Sequence, residues 1–236
     1  MRRLHTIVCL ALGSLLAATG CSSQILSPPA RFQALDGLDP AAPDTTWLDF
    51  EGGGGGQVVW GPSAHGGSLR VRHGVADTEW SGEASIVQLD GNSASTASRL
   101  LGALRGGARG RIVDDFRHAS WGAGLGGGAY AGGIYVSPEV SIAIGYDNAY
   151  LVPYLSLTGF MSLPIVARTV DTTDEADTPR EDSPLATFGL RFQLGLEVPM
   201  TDFATLSLGV NVVPLVDVEG TSEVWAGLGG ALKLRL

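Results

Sequence analysis

The last fifty residues, Thr187 to Leu236, read TFGLRFQLGLEVPMTDFATLSLGVNVVPLVDVEGTSEVWAGLGGALKLRL and carry one pattern three times. In the first segment Leu190, Phe192, Leu194, Leu196 and Val198 share one parity, while Arg191, Gln193, Gly195 and Glu197 share the other. In the second, Leu206, Leu208, Val210 and Val212 oppose Thr205, Ser207, Gly209 and Asn211. In the third, Ala226, Leu228, Gly230, Leu232, Leu234 and Leu236 oppose Trp225, Gly227, Gly229, Ala231, Lys233 and Arg235. Side chains of a strand point alternately to its two faces, so a period of two predicts three strands sharing one oily face.

Upstream, the chain divides into further extended segments, ten in all, near 57–60, 68–75, 79–89, 100–113, 118–130, 134–146, 149–165, 187–199, 204–214 and 223–236. Short connections at Asp77-Thr78, Asp114-Asp115, Asp147-Asn148 and Thr201-Asp202 hold residues that bond their own backbone and tolerate unusual φ. Longer ones fall at Gly61 to Gly67, Asp90 to Ser98, Val166 to Ala186 and Asp217 to Ser222. Short turns on one side and long loops on the other predict an all-β, antiparallel, up-and-down transmembrane β-barrel of eight to ten strands. An even number places both ends of the barrel on the short-turn, periplasmic side.

Alternation alone does not decide which face points outward, because a soluble lipocalin-like barrel has the same period with its oily face inside. Composition favours the membrane. Only 17% of residues are charged, where soluble domains have about a quarter, and Lys233 is the single lysine. The parity set Leu151, Pro153, Leu155, Leu157, Gly159, Met161, Leu163 and Ile165 is long enough for a tilted strand to cross a bilayer. The opposite faces mix small residues with charges of both signs, which suits a narrow lumen where guanidinium groups find carboxylate partners. The expected lumen charge network is Arg70, Arg72, Glu83, Arg105, Arg109, Arg191, Glu197, Lys233 and Arg235, with Glu79, Arg111 and Glu139 of the same parity sets. Trp80, Trp121, Tyr130, Tyr135, Tyr146, Tyr150 and Phe188 lie towards segment ends, as an interfacial girdle requires. Pro138, Pro153 and Pro164 oppose a closed ladder unless they occupy bulges or strand ends.

At the amino terminus, Arg2 and Arg3 precede an apolar run from Ile7 to Ala18, the build of a signal peptide over residues 1–20. Ala18-Thr19-Gly20-Cys21 resembles the lipobox of bacterial lipoproteins. The resemblance implies cleavage before Cys21 and a lipid on that cysteine; Ser22 resembles the signal that sorts such proteins to the outer membrane of Gram-negative bacteria. Residues 21–56 then read as a lipidated tether, with Gly52 to Gly56 as a flexible linker, and residues 57–236 as the barrel. The parity argument expects the lipid on the periplasmic side. At the other end, Gly229, Leu232, Leu234 and the final Leu236 resemble the terminal strand recognised by barrel assembly machinery. Together these features resemble the small, porin-like outer-membrane barrels of the OmpA/OmpX kind, which implies membrane lipid and the assembly machinery as partners.

Several chemistries are disfavoured. With Cys9 in the signal, Cys21 is the only cysteine left, so no internal disulfide or thiolate metal cluster is expected. Without Arg2 and Arg3 the chain holds 13 basic and 24 acidic residues, a net charge of −11, which excludes nucleic acid as an expected partner. Gly122-Ala123-Gly124-Leu125-Gly126-Gly127 spells a dinucleotide fingerprint, but no helix pattern follows it. His65, His73 and His118 lack a metal-ligand spacing, and no motif places a nucleophile. The six carboxylates between Asp171 and Asp182 read as a solvated external loop. The sequence therefore predicts no catalytic residues, cofactor or metal, and a structural or surface-interaction role with a surface or periplasmic protein partner. Alternatives are a narrow channel or carrier for a small solute, and a soluble lipoprotein binding an apolar ligand.

Overall fold

The computed structural model describes residues 31, 35–58, 63–90, 99–113, 116–130, 133–146, 148–167, 170–173, 179–182, 185–220 and 222–236. Ten long strands close into one antiparallel barrel: β1 (Thr46–Gln57), β2 (Ser63–Val75), β3 (Thr78–Asp90), β4 (Arg99–Val113), β5 (Phe116–Tyr130), β6 (Gly133–Gly145), β7 (Val152–Ala167), β10 (Thr187–Thr201), β11 (Ala204–Asp217) and β12 (Ser222–Arg235). Each pairs with its sequence neighbour, and β1 closes the ring on β12 from Trp47↔Arg235 to Gln57↔Trp225. Closure removes every edge, as a lipid environment demands. The acidic loop is not structureless: β8 (Val170–Thr173) and β9 (Pro179–Asp182) form a separate hairpin between β7 and β10.

The two parities separate as the alternation requires. Leu104, Leu228, Val140 and Leu194 point outward and are 69%, 67%, 65% and 59% exposed, whereas Arg70, Arg191, Lys233 and Asp49 are at most 2% exposed inside. An apolar exterior around a charged interior excludes the soluble arrangement, since so large an oily surface is stable only against lipid. Trp80, Trp121, Tyr146, Tyr150 and Phe203 are exposed around the end that holds Thr46, Arg235 and the short turns, hereafter the near end. Tyr135 is a correction to the expected girdle. It has inward parity and lies 1% exposed in the lumen. The side chain of Tyr130 lies outside the described residues.

The prolines sit where ladder bonds are dispensable. Pro164 pairs with Tyr135 beside a register shift, Pro153 is the second residue of β7, and the β6–β7 register is interrupted across Ser137 and Pro138.

One boundary is corrected. β1 begins at Thr46, not at residue 57, and Gly52 to Gly56 is its second half rather than a linker. Those glycines pair with β12 on one side and β2 on the other. On the inward side, a Cβ on Gly55 would lie 2.8 Å from the backbone of Gly227, so the bare backbone permits a close strand approach.

Candidate functional site

The candidate site is the lumen, and it contains residues the sequence reading assigned to the tether. Arg31, Leu35, Leu38 and Ala41 are 2%, 0%, 1% and 8% exposed, because residue 31 and residues 35–41 lie inside the barrel, while residues 42–44 are exposed at its near end. Such a segment has no strand or helix of its own, so its backbone groups must find partners on the wall. They do. Ala41 donates its N–H to Glu79 (2.7 Å), Leu38 to Glu197 (3.1 Å) and Leu35 to Glu51 (3.4 Å). Arg109 donates to the carbonyls of Asp36 (2.8 Å), Gly37 (2.9 Å) and Leu38 (3.2 Å). Glycines on the wall and in the segment make room. A Cβ on Gly209 would stand 2.6 Å from Leu35, and one on Gly37 would stand 2.7 Å from the carboxyl carbon of Glu197.

Ion pairs bind segment and wall together. Asp49 accepts from Arg70 (3.0 Å) and Arg72 (2.7 Å), and Arg72 reaches Glu79 (2.9 Å) while stacking 5.6 Å from the centre of the Trp47 ring. Arg31 pairs with Asp36 (3.0 Å) and Glu83 (3.0 Å), and lies within 3.9 Å of Glu51 and Glu139. Asp36 also pairs with Arg70. Arg105 grips Glu139 at 2.5 Å, its guanidinium lying over Gly124, and Lys233 grips Glu197 at 2.6 Å. Arg191 donates to the carbonyl of Arg31 and sits over the Phe160 ring at 5.5 Å. Among the described residues of this network, Arg31, Arg70, Arg72, Arg105, Arg109, Arg191 and Lys233 balance Asp36, Asp49, Glu51, Glu79, Glu83, Glu139 and Glu197. Balance matters because a buried charge without a partner costs several kcal/mol, on the order of 3–5 when one member of a pair is removed.

Eight of the nine expected network residues, from Arg70 to Lys233, line this lumen. Arg235 does not belong. It has inward parity but is the last residue of β12, where the wall ends, and it is exposed. Arg111 is likewise near the end, 56% exposed and 3.9 Å from Asp39. Arg31, Asp36, Asp49 and Glu51 were missed. The nine expected residues held seven cations and two anions, an imbalance that itself called for further carboxylates. Asp49 and Glu51 alternate with Leu48 and Phe50, a strand pattern lying just before the glycine run.

Beyond Arg31 the lumen changes character. Val87, Leu101, Ala103, Tyr135 and Ala64 form one apolar cluster and Phe160, Val213 and Leu215 another, both touching Trp225. A cavity of about 50 Å³ remains between Gly52 to Gly55, Val213 and Trp225, with Arg31 in its lining. The fingerprint glycines lie in the middle of β5, so no phosphate-binding turn exists there. His65 and His73 point outward, His73 against the Thr46 hydroxyl at 2.9 Å, and the side chain of His118 lies outside the described residues. Cys21 also lies outside them.

No known protein family and no curated protein matches this chain. Solved structures do. The translocator domain of the autotransporter NalP from Neisseria meningitidis superposes with a TM-score of 0.53 at 11% identity, over 81% of this chain and 87% of that one. An outer-membrane channel from Pseudomonas putida F1 gives 0.49 at 9% identity over 84% and 98%, and the β domain of the Bordetella autotransporter Brka 0.49 at 8% over 82% and 99%. At such identity the NalP likeness is one of fold, and it agrees with the apolar exterior and the closed ring. The chain folds as a ten-stranded antiparallel β-barrel of the kind that outer-membrane proteins adopt.

Proposed function

We propose that this barrel is a non-catalytic outer-membrane protein, anchored by lipid at Cys21, with a structural or surface-interaction role, its lumen held shut by its own N-terminal segment. The seating of Arg31 and residues 35–41 carries this reading. A pore needs a continuous aqueous path, and here the segment and its ion pairs fill one half of the lumen. Apolar side chains crowd the other half, leaving a cavity of about 50 Å³, room for a few waters. The lumen carboxylates named above all face guanidinium or ammonium groups, which supports a structural rather than a catalytic use of them.

Reconstitution of the full-length protein in planar bilayers tests closure. No steady conductance is expected; a stable, ion-selective wild-type channel would favour a narrow channel or carrier instead. Mass spectrometry of the mature protein tests the anchor, with an acylated Cys21 expected as its first residue and an unmodified one contradicting the proposal.

A further inference from the structure

The wall of the barrel is interrupted on one side. Two ladders that flank the continuous β7–β10 pairing each lose contacts where a proline sits. β6 and β7 are unpaired between Val136↔Leu163 and Glu139↔Phe160, and β10 and β11 between Gly189↔Leu215 and Phe192↔Val212. Pro138 lies in the first gap and Pro214 in the second, and neither has an N–H to give to a ladder. The gaps fall in adjacent rows of outward side chains. Val216, Phe188, Met161 and Pro138 make one row; Pro214, Leu190, Gly159 and Val140 make the next. Along these rows the exterior carries a groove of about 750 Å³. That volume is within the ~300–1,000 Å³ of small-molecule sites.

What stands behind the groove is apolar. Phe160 and Leu215, buried on the lumen side, meet over the bare backbone of Gly189, where a Cβ would lie 2.7 Å from Leu215. With Val213 they form the inner cluster that touches Trp225. Glu139 is the one charged residue in the groove's described lining, and Arg105 holds it at 2.5 Å. A second exterior groove, about 740 Å³ between Leu69, Leu104 and Leu125, differs in both respects. The ladders from β2 to β5 run unbroken past it, and Glu83 and Arg105 both stand behind it.

The proline-broken groove starts at a rim and descends. Ser222 opens β12 at the far end, opposite the short turns, and Val216 and Phe188 are each one residue from the far ends of β11 and β10. Pro138 is five residues in from the far end of β6. At ~3.3 Å per residue and a strand tilt of ~40°, Pro138 lies roughly 13 Å below that rim. Four strand spacings of ~4.8 Å make the groove roughly 19 Å long. One leaflet of a bilayer's hydrocarbon core is about 15 Å deep. We propose that this groove is a binding site for one acyl chain of an outer-leaflet lipid, whose headgroup rests at the far, extracellular rim. This rests on the outer-membrane barrel reading and not on the lipid at Cys21. The occupant follows from continuity with the lipid-facing exterior: the groove is narrow, opens at headgroup level and ends near the middle of the membrane. Where the ladders are broken over an apolar backing, one chain lies deeper than its neighbours around the wall and is held rather than freely exchanged.

The test is photolabelling of the full chain in phosphatidylcholine vesicles that contain a trace of the same lipid with a diazirine midway along one acyl chain. Adducts are mapped by peptide mass spectrometry. They are expected to concentrate on Met161, Phe188 and Leu190 rather than on Leu69, Leu104 and Leu125. Gly159→Phe fills the groove from an outward position whose Cβ would lie 3.6 Å from Leu190, and is expected to remove the first set of adducts and leave the second. Gly159→Leu is a smaller filling variant, and gel mobility before and after heating confirms that each protein is folded. Equal labelling of the two grooves, or adducts that survive Gly159→Phe, would overturn the proposal. So would a disulfide between two copies of Met161→Cys in place of lipid adducts there. A folded chain with no adduct in either groove would instead refute the membrane-spanning barrel itself.

Discussion

Gly37 is the residue on which the seating of the lumen segment depends most narrowly. Its φ is +80°, and a Cβ there would stand 2.7 Å from the carboxyl carbon of Glu197. Gly37→Ala places a non-glycine residue in the left-handed region, at about 1–2 kcal/mol. It also pushes Glu197 from Lys233, 2.6 Å away, and from the Leu38 N–H at 3.1 Å. Loosening a buried, charge-assisted contact costs about 1–3 kcal/mol. The strand ladders are untouched, so the sum of ~2–5 kcal/mol falls on the segment and raises its unseated population roughly 30- to 4,000-fold. Planar-bilayer recording is the assay, with protease cleavage near Gly37 as a second readout. Bursts of conductance and new cleavage are expected in Gly37→Ala. Gly220→Ala is the control: φ is +86° but no heavy atom lies within 4 Å of its Cβ position, so the strain is similar and Glu197 is undisturbed. A Gly37→Ala protein as silent and as protease-resistant as the wild type, or one indistinguishable from Gly220→Ala, would refute the reasoning.

Other perturbations separate lumen from exterior. Glu197→Gln leaves the Lys233 ammonium buried without its carboxylate and is expected to lower stability by about 3–5 kcal/mol, while adding Lys233→Met restores much of the loss; strictly additive urea-unfolding effects in detergent micelles would contradict the pairing. Gly124→Val drives the Arg105 guanidinium off its seat and away from Glu139, at about 1–3 kcal/mol. Gly82→Ala, with no heavy atom within 4 Å, is expected to stay within about 0.5 kcal/mol of wild type, and the heat needed to shift gel mobility ranks the two. Leu104→Arg, on the outer face at 69% exposure, is expected to cost about 2–4 kcal/mol when folding is measured in lipid vesicles. A neutral result there would mean that Leu104 does not face lipid.

The alternation in the last fifty residues was legible because it is strong and uninterrupted. β1 was not, although Leu48 and Phe50 alternate with Trp47, Asp49 and Glu51. Five glycines follow them, and glycine carries no hydropathy to extend a period, so a strand there looks like a linker. Tyr135 and Arg235 show the other limit. Parity assigns a face, but only position along the barrel decides whether that face is a packed lumen, as for Tyr135, or an open rim, as for Arg235.

By itself the sequence determined the strands, the two chemistries of their faces and the alternation of short and long connections. These are local properties: a period of two is read along one strand without knowing its neighbours. Only the tertiary structure decided that β1 closes on β12, and that residue 31 and residues 35–41 enter the lumen. That segment has no period of its own. Its order comes from groups on separate strands, Glu51, Glu79, Arg109 and Glu197 among them, which converge on one axis only once the ring has closed in register.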